Sequence, residues 1–290
     1  MVSLATSTAT DAIFVVDGSA SMAEHFPLLL RTYLEPIVVC VTVRFGDCVE
    51  ITDILVILGA AESSSWRPGC QNGGVPTATS ELPGKCATFP RSDWSRFLRP
   101  ALPPLSPTPP CEQSLRFGLV VYGDYPPYSD RVAERHLLGA DADAVLTALR
   151  KLKFQGGGVW TNAAAEGLAA AMEMYNDLRP EAPPPDAAPP VRHCFLVPCT
   201  EPHKLAVRCN LMERFDDMSL SEIGEEMGKD KVRLSLISAR KDIKDFEDIV
   251  TSVNRAGMVN VSDGTPASSN HAVRLAGLSV AAFAVENGIV

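Results

Sequence analysis

The chain has 290 residues, 46% of them hydrophobic, and a formal net charge of -9. That much apolar material excludes general disorder and suffices for one large or two small domains with a buried core. The acidic balance excludes a binder of nucleic-acid backbone, which needs clustered Lys and Arg to displace counterions. No run reaches the roughly 18 to 20 apolar residues that spanning a bilayer requires, and the start Met1-Val2-Ser3-Leu4-Ala5 lacks the basic residues of a signal peptide. The expectation is therefore a soluble intracellular protein without membrane contact. The eight cysteines have no CxxC pair, so reduced thiols are expected, with a local clip among Cys70, Cys86 and Cys111 as the alternative.

In chain order, Ala12 to Val16 is an unbroken apolar run suited to a parallel strand covered on both faces, and a helical stretch from about Glu24 to Val43 follows. The run Ile51 to Leu58 fits a strand or a short buried helix equally well. Residues 59–113 turn rich in Ser, Pro and Gly without either period and read as an insertion. More than half of the 23 prolines fall in residues 100–110 and 180–190, which are loops or linkers because helix interiors and central strands exclude them. Leu115 to Tyr122 is the next strand, and Val132 to Leu138, with charges alternating, is an antiparallel edge strand. Val145, Leu149 and Leu152 mark a helix beginning near Asp141; Leu168, Met172 and Tyr175 mark another after Gly156-Gly157-Gly158. Strands at Cys194 to Val197 and Val232 to Ser238, helices around Leu220 to Met227 and Lys241 to Ala256, and a last apolar segment from Ala272 to Val285 complete the pattern. Such alternation predicts an α/β fold: a doubly wound, Rossmann-like, mostly parallel sheet with helices on both faces and one antiparallel edge strand, forming one domain over residues 11–285.

Ligands of such sheets bind outside the carboxyl ends of the strands, where Asp17-Gly18-Ser19-Ala20-Ser21 follows the first strand. The Asp and two Ser at alternate positions can turn three oxygens to one point, as a Mg2+ site needs. The same residues have a plainer use, since Ser21-Met22-Ala23-Glu24 is a capping box for the first helix. On these five residues alone the two uses stand as equal alternatives.

Strand, DxSxS loop, helix, and then a glycine turn with a Thr before a later helix together resemble the metal-ion-dependent adhesion site of von Willebrand factor A domains. The resemblance implies that Asp17, Ser19, Ser21 and Thr161 are the metal-side residues. That family normally has an Asp after the fourth strand. Here Cys194 to Val197 runs into Pro198-Cys199-Thr200-Glu201, so Glu201 is the substitute and the site is incomplete. Finer features narrow the resemblance to the A-type domain at the N-terminus of the Mediator complex subunit 25 family. They are the proline of Tyr33-Leu34-Glu35-Pro36, the strand Leu119 to Tyr122, Arg192-His193-Cys194, His271 to Arg274, and above all Leu152 to Gly158 followed by Ala165-Glu166-Gly167-Leu168. The resemblance implies a non-enzymatic interaction domain of a nuclear transcription coactivator, tethering its subunit to other Mediator subunits. The competing expectation is a Mg2+-dependent ligand-binding A domain unconnected with Mediator. The family's downstream activator-meeting domain has no counterpart in this sequence, which leaves a fragment, a truncated chain or a domain-only paralogue.

Other chemistry is disfavoured. The glycine run matches neither GxGxxG nor GxxxxGK[ST], so it is read as a tight turn that presents Thr161. The loop is not a GxSxG nucleophile elbow, and an aspartate-nucleophile site would want an acid where Ser19 stands. The five histidines have no partner at helical spacing and are read as surface or structural residues. Trp160, beside the glycine run, is the candidate rim residue for a protein partner, with packing over the adjacent helix as its plainer reading.

Overall fold

The computed structural model describes residues 9–46, 115–178, 188–264 and 268–278. The insertion at 59–113, the run 51–58, most of the proline tract 180–190, four of the cysteines (Cys48, Cys70, Cys86, Cys111) and everything after residue 278 lie outside them.

Strand β1 (Thr10–Asp17) is buried along its whole length, and its side chains alternate between two cores. Ile13 and Val15 join one cluster; Ala12, Phe14 and Val16 join the other, with Phe14 stacked on Phe195 at a centroid distance of 5.0 Å. An unbroken apolar run is what covering both faces of a strand demands. Parallel to β1 on either side lie β2 (Leu115–Tyr122) and β5 (Val191–Val197), the latter paired in turn with β7 (Arg233–Ser238). The edge strand β3 (Ala133–Gly139) is antiparallel to β2, as the alternating charges predict. Beyond β7 lie β9 (Ala272–Ala276), also reversed, and the short edge strand β8 (Val261–Asp263), giving the order β3-β2-β1-β5-β7-β9-β8. The sequence reading does not contain β8, nor the separate pair β4 (Thr161–Asn162) and β6 (Glu201–Pro202), because two or three residues carry no period.

After β1 the chain takes a 3-10 turn (Ala20–Met22), then α1 (Phe26–Leu29), a π-helical turn (Leu30–Leu34) and α2 (Glu35–Gly46). Pro36 explains the interruption. It lacks an N–H, and its ring crowds the carbonyl four residues back, so the preceding turn widens until Glu35 N–H reaches the carbonyl of Leu30. The expected capping box of Ser21 with Glu24 does not form. The α-helix starts five residues later, at Phe26, with Pro27 in its first turn, and Ser21 Oγ bonds Ser19 Oγ instead.

Helix α3 (Ala142–Arg150) is capped by Asp141, whose side chain accepts from Asp143 N–H, and it packs with α1 and α2 on one face of the sheet. On the other face lie α4 (Ala164–Asp177), α5 (Leu220–Lys229) and α6 (Lys244–Ala256). Every residue of α4 from Ala164 to Tyr175 is buried, and its run of Ala and Gly lets it lie close to the sheet. Gly167 faces the ring of Tyr122, which a Cβ would approach to 2.8 Å.

The full capping box is at α5: Ser219 accepts from Glu222 N–H, and Glu222 accepts from Ser219 N–H. Ser219→Ala is expected to cost about 1 kcal/mol, read as a lower urea midpoint with an unchanged slope. An unchanged midpoint would mean that the cap contributes nothing.

Candidate functional site at the carboxyl ends of the strands

Asp17 ends β1 fully buried, with both of its oxygens engaged. Oδ1 accepts from Ser19 N–H at 2.9 Å; Oδ2 accepts from Asn162 Nδ2 at 2.7 Å and from Cys199 N–H at 3.2 Å. Burial holds its carboxyl above the usual range, against the pull of these donors. Ser19 and Ser21 share a hydrogen bond of 2.9 Å between their hydroxyls. Asp17, Ser19 and Ser21 thus gather at one place, as their spacing predicts.

Gly156, Gly157 and Gly158 lock over this loop. All three have positive φ (68°, 52° and 67°), a conformation that three successive residues adopt only as glycine. Ala20 N–H donates to Gly156 O, and Gln155 N–H donates to Gly18 O, stitching the two loops together. Gly158 lies directly on the serines: a Cβ there would be 2.1 Å from Ser19 Oγ and 2.9 Å from Ser21 Oγ.

Neither Thr161 nor Glu201 hydrogen-bonds Asp17, although Asn162, next to Thr161, donates to it and also to the carbonyl of Thr200. Thr161 Oγ1 is 2.9 Å from His203 Nδ1, and His203 Nε2 is 2.7 Å from Asp124 Oδ1. An ionised carboxylate only accepts, so Nε2 is the donor to Asp124 Oδ1. Asp124 also takes Tyr125 N–H and Gly158 N–H, and the Tyr125 ring tilts against the imidazole. Glu201 pairs with Thr161 across β4 and β6, and its carboxyl is raised by burial and then by the charges of Asp245 and Asp242. At the position after β5, Cys199 donates its thiol to Ser21 O; burial, and then the Asp17 charge, push that thiol up. Among the described residues no three of His, Cys, Asp and Glu group as a metal would need.

Asn162 and His203, which the sequence reading did not single out, are what bind the site together. Extended neighbours point to opposite sides, so a Thr161 turned toward the rim puts Asn162 inward. That alternation is the signal that could have found Asn162. His203 and Asp124 are 79 residues apart, and nothing local connects them.

The outer rim is apolar. Val159 is 75% exposed and Trp160 is 85% exposed, so Trp160 does not pack over the adjacent helix; Tyr128 and Leu205 are exposed nearby in the chain segments that meet Gly156 and carry His203. A separate cleft of about 640 Å³ opens beside Gly18, bordered by Val121, Arg131, His136, Leu138 and Lys151 and not by the Ser19 or Ser21 hydroxyls.

Under the rim, Glu166 of α4 accepts from Arg208 N–H at 2.8 Å, from Cys209 N–H and from Tyr125 Oη. Removing this buried acceptor takes a partner from three part-buried donors at once. Glu166→Ala is expected to cost about 2 kcal/mol and to speed amide exchange selectively at Arg208 and Cys209. Unchanged exchange there would dismiss the anchoring role.

The sequence model of the family described as Mediator complex subunit 25 von Willebrand factor type A matches residues 108–275. Mediator of RNA polymerase II transcription subunit 25 from Arabidopsis thaliana is 32% identical over 92 residues, covering 32% of this chain and 11% of that protein. The chain therefore matches only a small part of the length of this curated relative. Two solved forms of the pilus adhesin SpaC from Lactobacillus rhamnosus GG share 11% and 10% identity, with TM-scores of 0.38 and 0.39. These alignments cover 85% and 94% of this chain and 26% and 38% of the adhesin chains.

Proposed function

Because the chain belongs to the von Willebrand factor type A family of Mediator complex subunit 25, we propose that it is a non-catalytic protein-interaction domain that tethers a coactivator subunit to other Mediator subunits in the nucleus. In this reading residues 11–285 make one A-type domain, interrupted at 59–113 and at the proline tract 180–190. The partners are proteins, contacted without nucleic acid or membrane, in keeping with the net charge of -9.

The observation that carries the reading, beside the family match, is the exposed Val159-Trp160 pair on the glycine turn. A large aromatic held in the open by a rigid turn suits an anchor in a partner's pocket. The Thr161, His203 and Asp124 chain beneath it serves to fix that turn. The test is affinity purification of the tagged chain from nuclei of its own organism, with mass spectrometry. Enrichment of Mediator subunits is the expected result; recovery of none would sink the tether.

A further inference from the structure

We infer that the Asp17 to Ser21 loop is a closed hydrogen-bonded knot that takes no divalent cation, so that docking through this domain does not depend on Mg2+. A hard cation requires several oxygen lone pairs turned to one point, at least one of them from a carboxylate, and Mg2+ demands near-octahedral placement. The donor set here does not meet that need. The one carboxylate at the loop, Asp17, is fully buried and held by three N–H donors, one on Oδ1 and two on Oδ2. Asn162 and Cys199 N–H thus supply to Oδ2 the positive dipoles that a cation would otherwise supply.

The hydroxyls are closed in a different way. Ser19 and Ser21 bond each other, and the Gly158 backbone covers them so closely that not even a methyl group fits between. Thr161, the remaining hydroxyl of the adhesion-site pattern, is bonded to His203. The position after β5 offers a thiol, a soft ligand unsuited to Mg2+, which is itself spent on Ser21 O. Glu201 is paired with Thr161 across β4 and β6 and makes no hydrogen bond to the Asp17 to Ser21 loop, although one of its carboxylate oxygens is buried without a partner. The loop therefore keeps the spacing of a cation site while its oxygens serve the protein itself.

Exclusion of the cation does not depend on the Mediator reading; only its consequence for docking rests on that reading. The probe is Mn2+, an EPR-visible stand-in for Mg2+, titrated into the intact chain and into the Ser19→Ala/Ser21→Ala double variant. No saturable binding below roughly millimolar metal, and the same melting temperature in Mg2+ and in EDTA, are expected. Saturable binding in the micromolar range that the double variant loses would overturn the inference; binding that the double variant keeps lies elsewhere and leaves it standing. Capture of Mediator subunits in EDTA and in Mg2+ gives the second arm. Equal capture supports the inference and capture only with Mg2+ overturns it, whereas capture in neither buffer removes the tether reading and leaves the Mn2+ titration to decide.

Discussion

Gly158→Ala should unfold the chain at markedly lower denaturant, with an expected loss of about 4 kcal/mol built from two separate costs. The first is conformational. Gly158 sits at φ 67°, and an L side chain pays about 1 to 2 kcal/mol to be there. The second is contact. The new Cβ would lie 2.1 Å from Ser19 Oγ and 2.4 Å from Ser19 Cβ, so the glycine turn and the loop after β1 must separate. That separation also strains the bonds Ala20 N–H to Gly156 O and Gln155 N–H to Gly18 O. Forced repacking of this kind costs about 1 to 3 kcal/mol. Gly139 supplies the comparison, because it has φ 69° and a Cβ added there would meet nothing within 4 Å, so Gly139→Ala carries the conformational cost alone. Urea titrations of both variants check the argument. Equal losses at the two positions would mean that contact with Ser19 contributes nothing.

The sheet was largely legible because its strands are long and its faces are both covered. Leu115 to Tyr122 has the bounds that its hydrophobic run predicts, and β1 differs from its predicted run only at the ends. What escaped was either too short to carry a period, as with β4, β6 and β8, or decided by a competing local rule. At the first helix, Ser21 and Glu24 have capping-box spacing, but Pro27 sets the helix start at Phe26 and leaves Ser21 to its neighbour Ser19. The box that does form, Ser219 with Glu222, has the same spacing and no proline after it.

The site was legible only where its residues are neighbours in sequence. Asp17, Ser19 and Ser21 are brought together as alternate positions predict, but spacing says nothing about who occupies their lone pairs. On Asp17 the distant occupants are Asn162 and Cys199 N–H, while Gly158 packs against the serine hydroxyls and gives its own N–H to Asp124. The phrase Ala165-Glu166-Gly167-Leu168, useful at first only as a mark of resemblance, has a physical content. Glu166 holds Arg208 and Cys209, and Gly167 makes room for the buried Tyr122 ring.

Trp160→Ala should weaken capture of Mediator subunits by roughly 30- to 100-fold, the effect of truncating a buried aromatic anchor worth about 2 to 3 kcal/mol at an interface. The stability of the free chain should not move, since the indole is 85% exposed and contributes little to either core. This contrast separates the rim from the knot beneath it: Gly158→Ala lowers stability and capture together, whereas Trp160→Ala lowers capture alone. A Trp160→Phe variant keeps an apolar ring and should recover part of the loss, which a role confined to the indole N–H would not allow. Val159→Ala, removing less area from the same turn, should weaken capture by less. Binding of the purified variants to recombinant Mediator subunits, beside their urea midpoints, gives both readouts. Full capture by Trp160→Ala would move the docking surface off this rim, and the glycine turn would then be left with the single task of closing the loop after β1.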